Sequence, residues 1–366
     1  MQNNYSVTLP HFSVGPEAYT LIPDVLKPYG KRVAIIGGKT ALAKSRDALL
    51  AGLKAAGAEV LVEHVYGENA TVANIERAKA LPEVQAADVV FCVGGGRAID
   101  CAKTVADQLD KPWFSVPTVA SNCAPVSAVA VLYNDNGSLY GYHFTKSCPE
   151  HTFINTTVII NSPEELFWAG IGDALSKQIE VLFASEGKKL FHSTYMGRAL
   201  CLACQDPLLN GGRQAMEDFR AKKLTEAFTE CVLDIIVTTG TVSNLMTNKN
   251  YYFNSSLAHC FYNASMVLPM GHKHLHGEIV SFGNLVLLAY SQQTELLARY
   301  LQFNADLDLP TTLDDLDISP EELEVLLDKA QEIKEWTCVP YPTTREAYYE
   351  AIMAVDRAGK ALKAGA

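Results

Sequence analysis

The first third of the chain repeats one pattern: a short apolar run, a turn, then a stretch with helical periodicity. Lys31-Arg-Val-Ala-Ile-Ile ends in Gly37-Gly38, and Thr40 to Ala56 follows with helical spacing up to Gly57. Glu59 to His64 reads as a second strand and Val72 to Ala80 as a second helix. Asp88-Val-Val-Phe-Cys-Val runs straight into Gly94-Gly95-Gly96, Ala98 to Gln108 is helical, and Trp113 to Val116 is strand-like. Strands and helices alternating at this spacing specify a parallel sheet with helices on its faces.

The second half changes character. Asn161-Ser162-Pro163-Glu164-Glu165 reads as a helix start, with Ser162 as cap, Pro163 in the first turn and Glu165 completing a capping box. Beyond it the pattern is helical almost throughout, and Ser319-Pro320-Glu321-Glu322 marks another helix start. The expected fold is an α/β domain over residues 1–162 followed by an all-α domain over 163–366.

Composition narrows the function classes. The chain has 366 residues, 41 acidic against 30 basic, a net charge of -11, and 48% hydrophobic residues. That is a folded protein with a sizeable core. Its acidic balance argues against a nucleic-acid partner, because phosphate backbones need clustered cations. The polar start, Met1 to Pro10, resembles no export signal, and apolar runs such as Val126 to Leu132 are far shorter than a membrane span. Nine cysteines without framework spacing suit a reducing, cytoplasmic setting. Cys201 and Cys204 form a CxxC inside an apolar helical segment, where buried structural thiols compete with a redox or zinc role.

Gly94-Gly95-Gly96 sits between a strand and a helix. Residues without Cβ let the backbone approach a ligand, and the helix start offers N–H groups and partial positive charge to a pyrophosphate. A plain tight turn is the alternative. Asp100 and Lys103, three apart on the helix, allow a solvated ion pair as well as a role at the loop. The second loop, from Pro117 to Pro125, also follows a strand, which is where ligands sit in open α/β sheets.

Four of the nine histidines, His259, His272, His274 and His276, fall within one short stretch. His272 and His276 share a face if that stretch is helical, although Gly271 and Gly277 favour a loop-to-helix junction. His259 alone could be a satisfied core histidine. Asp173 stands among small and apolar residues, where a carboxylate needs a partner or a cation. An ion pair with Lys177 at i,i+4 is the alternative.

These motifs resemble the iron-containing alcohol dehydrogenase superfamily, in its glycerol dehydrogenase-like and hydroxycarboxylate dehydrogenase-like branch. The match runs in order through Gly94-Gly-Gly-x-x-x-Asp100-x-x-Lys103, Pro117-Thr-x-Ala-Ser121, Gly170-Ile-Gly-Asp173-Ala, His259, His272-x-x-x-His276-Gly277-Glu278 and Leu309-Pro-Thr-Thr-Leu-Asp-Asp-Leu. The resemblance implies a dehydroquinate synthase-like architecture, with a dinucleotide-binding first domain and a metal-binding helical second domain. It implies one divalent metal, zinc or ferrous iron, on Asp173, His259 and His276. It implies NAD(P)(H) contacts at Gly38, Gly94, Gly95, Gly96, Arg97, Ala98, Asp100, Lys103, Thr118, Val119, Ser121, Ser127, Val129 and Tyr133. His272 is the expected proton shuttle, since imidazole titrates near neutral pH. The implied enzyme moves a hydride between NAD(P)(H) and a small substrate, and self-associates into a homo-oligomer.

Two departures from the family pattern bear on substrate and cofactor. Glycerol dehydrogenases usually carry Ser-Thr-Asp-Ala-Pro in the second loop, and this chain has Ser121-Asn-Cys123-Ala-Pro125. Losing the carboxylate removes a strong acceptor for hydroxyls and a repulsion against acids. Cys123 therefore favours a 2-oxo acid or small carbonyl over glycerol, with glycerol oxidation or a dehydroquinate synthase-like lyase as alternatives. NAD-preferring members often place an aspartate after the first strand, whereas this chain has Gly37-Gly38-Lys39-Thr40. NADPH is thus expected to be accepted, or preferred.

Overall fold

A computed structural model describes residues 6–248 and 251–365. The chain falls into two compact units, one of residues up to 164 together with 218–244, the other of 165–217 together with 245 onward. The division is not a single cut, because 218–244 cluster with the first unit.

The strands are β1 (Phe12–Gly15), β2 (Arg32–Gly37), β3 (Glu59–Val65), β4 (Val89–Gly94), β5 (Trp113–Pro117), β6 (Val129–Tyr133), β7 (Leu139–Phe144) and β8 (His151–Asn155). Six of them form one sheet in the order β1-β8-β5-β4-β2-β3, and every neighbouring pair is parallel. Each strand and helix expected between residues 31 and 117 is present. Alternate side chains explain why both faces must be covered. Val33 and Ile35 of β2 pack in one core cluster with Leu49, Phe91 and Phe114. Ala34 and Ile36 pack in the other with Val90, Ile99 and Val105. Each large side chain so buried contributes about 1.5–3 kcal/mol, which fixes the strand register. β6 and β7 pair separately as an antiparallel hairpin.

Among the described residues, the second unit contains no strand. Its most enclosed helix, His276–Tyr290, buries residues on every side, as expected of an apolar helix without a polar face. Glycines let its neighbours close in. A Cβ on Gly277 would lie 1.8 Å from the Ala169 carbonyl, and one on Gly283 would lie 2.4 Å from the Ala258 carbonyl. Two helix-start expectations part company here. At the helix start expected at 319–322, Ser319 and Glu322 form a reciprocal cap. The helix after Ser162 begins at Glu164, and the Ser162 hydroxyl is buried without a partner. No described helix is long and apolar enough to cross a membrane.

Candidate metal centre and nucleotide loop

Three helices of the second unit bring the metal candidates together. Asp173 lies near the end of Glu164–Ala174, His259 in Leu257–Ser265, and His276 opens His276–Tyr290. Asp173 Oδ1 lies 3.0 Å from His276 Nε2 and 3.6 Å from His259 Nε2. One ligand atom from each residue falls within 4.8 Å of the others. A tetrahedral ion with bonds of about 2.1 Å sets its ligand atoms about 3.4 Å apart, so this donor set fits one divalent cation.

Behind His259 stands Glu180, fully buried in the Ser176–Ser185 helix. Its Oε2 lies 2.6 Å from His259 Nδ1, while its Oε1 accepts from the backbone N–H groups of Ser256 and His259. A carboxylate on Nδ1 holds the proton there and leaves Nε2 as the donor atom for a metal. Burial by itself would raise the Asp173 carboxyl, but His276 and His259 outweigh it and hold the group below the usual carboxylate range. Burial would lower His259, but Glu180 and Asp173 outweigh it and push the ring up to about 10. The buried Glu180 and the half-buried Asp173 carboxylates around these rings make a place that favours positive charge.

The sequence reading overlooked Glu180. A signal existed: it follows Asp173 by seven residues, two helical turns, inside the apolar run Ile179 to Phe183. The suggested Asp173–Lys177 pair does not form, since the Lys177 ammonium donates to the Asn254 carbonyl at 3.1 Å. His272 and His274 lie outside the ligand set: His272 is exposed at the end of a 3-10 turn, and His274 pairs with Glu278 at 2.8 Å. The junction expected between Gly271 and Gly277 is therefore present. Cys201 and Cys204 are both buried, which is the structural-thiol alternative.

In the first unit the two glycine turns sit at the carboxyl ends of adjacent strands, β2 and β4. Gly94 has φ +145, and a Cβ there would lie 2.8 Å from the Ala98 Cβ. Gly95 begins the Gly96–Gln108 helix with no side-chain cap, so its first-turn N–H groups can receive an anion. Gly38 starts the Lys39–Ala55 helix in the same way. The second loop packs on this turn, as a Cβ on Gly96 would lie 2.6 Å from the Asn122 amide. Arg97 is exposed at the helix start, with its guanidinium 5.6 Å from the centre of the Tyr133 ring. Thr118, Val119 and Ser127 are buried, whereas Ser121, Cys123, Val129 and Tyr133 are half-buried.

Asp100 and Lys103 correct the idea of a solvated pair. Lys103 is wholly buried, and its ammonium lies 2.8 Å from Asp100 Oδ1. It also donates to the carbonyls of Ala124 and Ser127 at 3.1 and 3.2 Å.

Comparison with known proteins finds relatives over most of the chain. A family model described as iron-containing alcohol dehydrogenase matches residues 10–156. A glycerol dehydrogenase of Thermotoga maritima is 31% identical over 314 residues, covering 82% of this chain and 83% of that protein. Hydroxycarboxylate dehydrogenase A of Escherichia coli K12 is 35% identical over 231 residues, 63% of each chain. The crystal structure of a glycerol dehydrogenase from Schizosaccharomyces pombe aligns with a TM-score of 0.85 at 25% identity, over 98% of this chain and 92% of that one.

Proposed function

This chain belongs to the iron-containing alcohol dehydrogenase family, and we propose that it moves a hydride between NAD(P)(H) and a small 2-oxo or 2-hydroxy acid, or a related carbonyl or alcohol. The observation that carries this reading is the convergence of Asp173, His259 and His276 around one cation-sized space.

When bound, the metal supplies Lewis acidity toward a substrate oxygen and the nicotinamide carries the hydride. Asp173, His259 and His276 would hold the ion, with Glu180 engaging the Nδ1 side of His259. The glycine turn at 94–96 would receive the pyrophosphate on the uncapped helix start. The other proposed cofactor contacts are Gly38, Arg97, Ala98, Asp100 and Lys103 on the two helix starts, and Thr118, Val119, Ser121, Ser127, Val129 and Tyr133 on the second loop and the start of the hairpin. His272, exposed four residues before His276, would carry a proton between the substrate oxygen and water through its ring nitrogens.

Cys123 supports an acid or carbonyl substrate. A thiol is a weak hydrogen-bonding group and, when protonated, does not repel a carboxylate. Glycerol oxidation is the second reading, favoured by the names of several relatives. NADPH acceptance is supported at Gly38, whose surroundings are Ala41, Tyr66 and Ala98, with no carboxylate side chain nearest to it.

The test is a panel of 2-oxo acids, small carbonyls and polyols with NADH and NADPH, with and without added zinc or ferrous ion. The reading expects kcat/KM on 2-oxobutanoate-like acids to exceed that on glycerol. A clear glycerol preference at neutral pH reverses the substrate assignment. Absence of net cofactor turnover with every substrate would point to the lyase-type alternative.

A further inference from the structure

The segment that carries Cys123 is held unusually completely, and by side chains far away in sequence. Cys123 accepts at its carbonyl from the N–H groups of Val126 and Ser127, both at 3.0 Å. The next carbonyls are met in turn: Ala124 and Ser127 by the Lys103 ammonium, Pro125 by the Thr152 hydroxyl, Val126 by the Asn244 amide, and Ala128 by the Thr145 N–H. Asn244 binds this segment twice, since its Oδ1 also accepts from the Ala128 N–H at 2.8 Å. The helix bearing Asn244 comes this close because of Gly240, where a Cβ would lie 3.0 Å from the Val126 Cβ. Asp100 completes the arrangement: it pairs with Lys103 and accepts from the Val131 N–H at 3.1 Å.

We propose that Lys103 and Asn244 are positioning residues that together fix the 123–128 segment and hence the place of Cys123. Lys103 is fully buried and its ammonium already meets three oxygens of the protein, so its charge acts on backbone carbonyls. It is bound to the loop by the pair with Asp100, because an ammonium in a dry interior needs a carboxylate beside it. Asn244 supplies what a charge cannot: a donor and an acceptor on one rigid plane, matched to one carbonyl and one N–H two residues apart. A loop whose successive carbonyls are all satisfied has no cheap alternative conformation. Its role in choosing substrates rests on the reading of Cys123 given above, whereas the clamp itself is independent of that reading.

The experiment uses the full-length enzyme with Asn244→Leu, which removes both bonds without leaving a buried charge, and Lys103→Met as the second variant. Native hydrogen exchange reads the amides of 123–128. Iodoacetamide labelling reads Cys123, the one cysteine of the nine that is not buried. In Asn244→Leu the Ala128 amide should exchange about tenfold faster, the equivalent of one lost hydrogen bond. Cys123 should be alkylated faster, while amides of β4 stay as protected as in the parent. With a 2-oxo acid, kcat should fall more than KM rises. Unchanged exchange at 123–128, or exchange rising equally throughout the sheet, overturns the proposal. If Lys103→Met does not fold, Asn244→Leu decides alone. A parent enzyme inactive on every acid and alcohol would remove the substrate reading, yet a local response in exchange and labelling would still establish the clamp.

Discussion

Glu180 grips His259 at two points, with Oε2 2.6 Å from the ring Nδ1 and Oε1 2.9 Å from the backbone N–H of the same residue. Ring and main chain are thus oriented by one buried carboxylate. Glu180→Gln preserves the shape but weakens the grip on the ring. Metal affinity, measured by chelator competition, should fall about 10–100-fold. Unaltered affinity would show that Glu180 only packs.

Removing a ligand should be harsher. Asp173→Asn deprives the two histidines of the carboxylate that lies 3.0 and 3.6 Å from them. Bound zinc or iron, measured by elemental analysis, should become substoichiometric. The associated kcat/KM should fall at least about a thousandfold, the scale of several kcal/mol of Lewis-acid stabilisation. A variant retaining both metal and turnover would contradict the ligand assignment.

Cys123→Asp restores the carboxylate of the polyol-oxidising pattern. Turnover of 2-oxo acids should drop by about tenfold or more through like-charge repulsion, and glycerol oxidation should rise. Steady-state kinetics on both substrate classes measure the exchange, and parallel losses on both would mean the residue does not discriminate.

Gly38→Asp places a carboxylate at the start of the Lys39–Ala55 helix, where the backbone is extended and accepts a side chain. The ratio of kcat/KM for NADPH over NADH should fall by about tenfold or more, because the new charge repels a 2′-phosphate and accepts from a ribose hydroxyl. A ratio that does not move locates cofactor choice elsewhere.

Asp88 ties β2 to the turn before β4. It accepts from the Arg32 backbone N–H and from the Arg32 guanidinium, and this pairing lowers its pKa from an ordinary 3.8 to about 2. A carboxyl whose pKa is depressed on folding stabilises the fold above its unfolded value and loses that contribution as pH falls. The thermal midpoints of the parent and Asp88→Asn should therefore differ most above about pH 4, with the gap closing toward about pH 2. A gap that persists at pH 2 would assign the effect to something other than the charge.

Much of the first unit was legible because its signals are local. Apolar runs such as Val89–Val93 end in glycines, of which Gly94 at φ +145 takes a backbone that side chains rarely adopt, and the helices between them carry their own periodicity. β1 and β8 left little trace, since both are short and their place is set by pairing with each other and with β5. The hairpin had a signal in Asn136-Gly137, a pair suited to a tight reversal, with Gly137 at φ +84. At Ser162 the local rule failed: good capping chemistry was present, yet the helix begins beyond it and its hydroxyl is buried unpaired.

By itself the sequence determined the alternation of strands and helices, the glycine turn, and the kinds of side chain available for a metal. Each follows from neighbouring residues and their backbone preferences. Only the tertiary structure decided which groups meet. Gly277 against the Ala169 carbonyl brings two helices close enough for His276 to reach Asp173. Glu180 reaches His259, Lys177 turns to Asn254 and Lys103 to the 123–128 loop, all across long stretches of chain. A buried charge takes the partner that close packing places beside it, and no spacing along the chain records that choice.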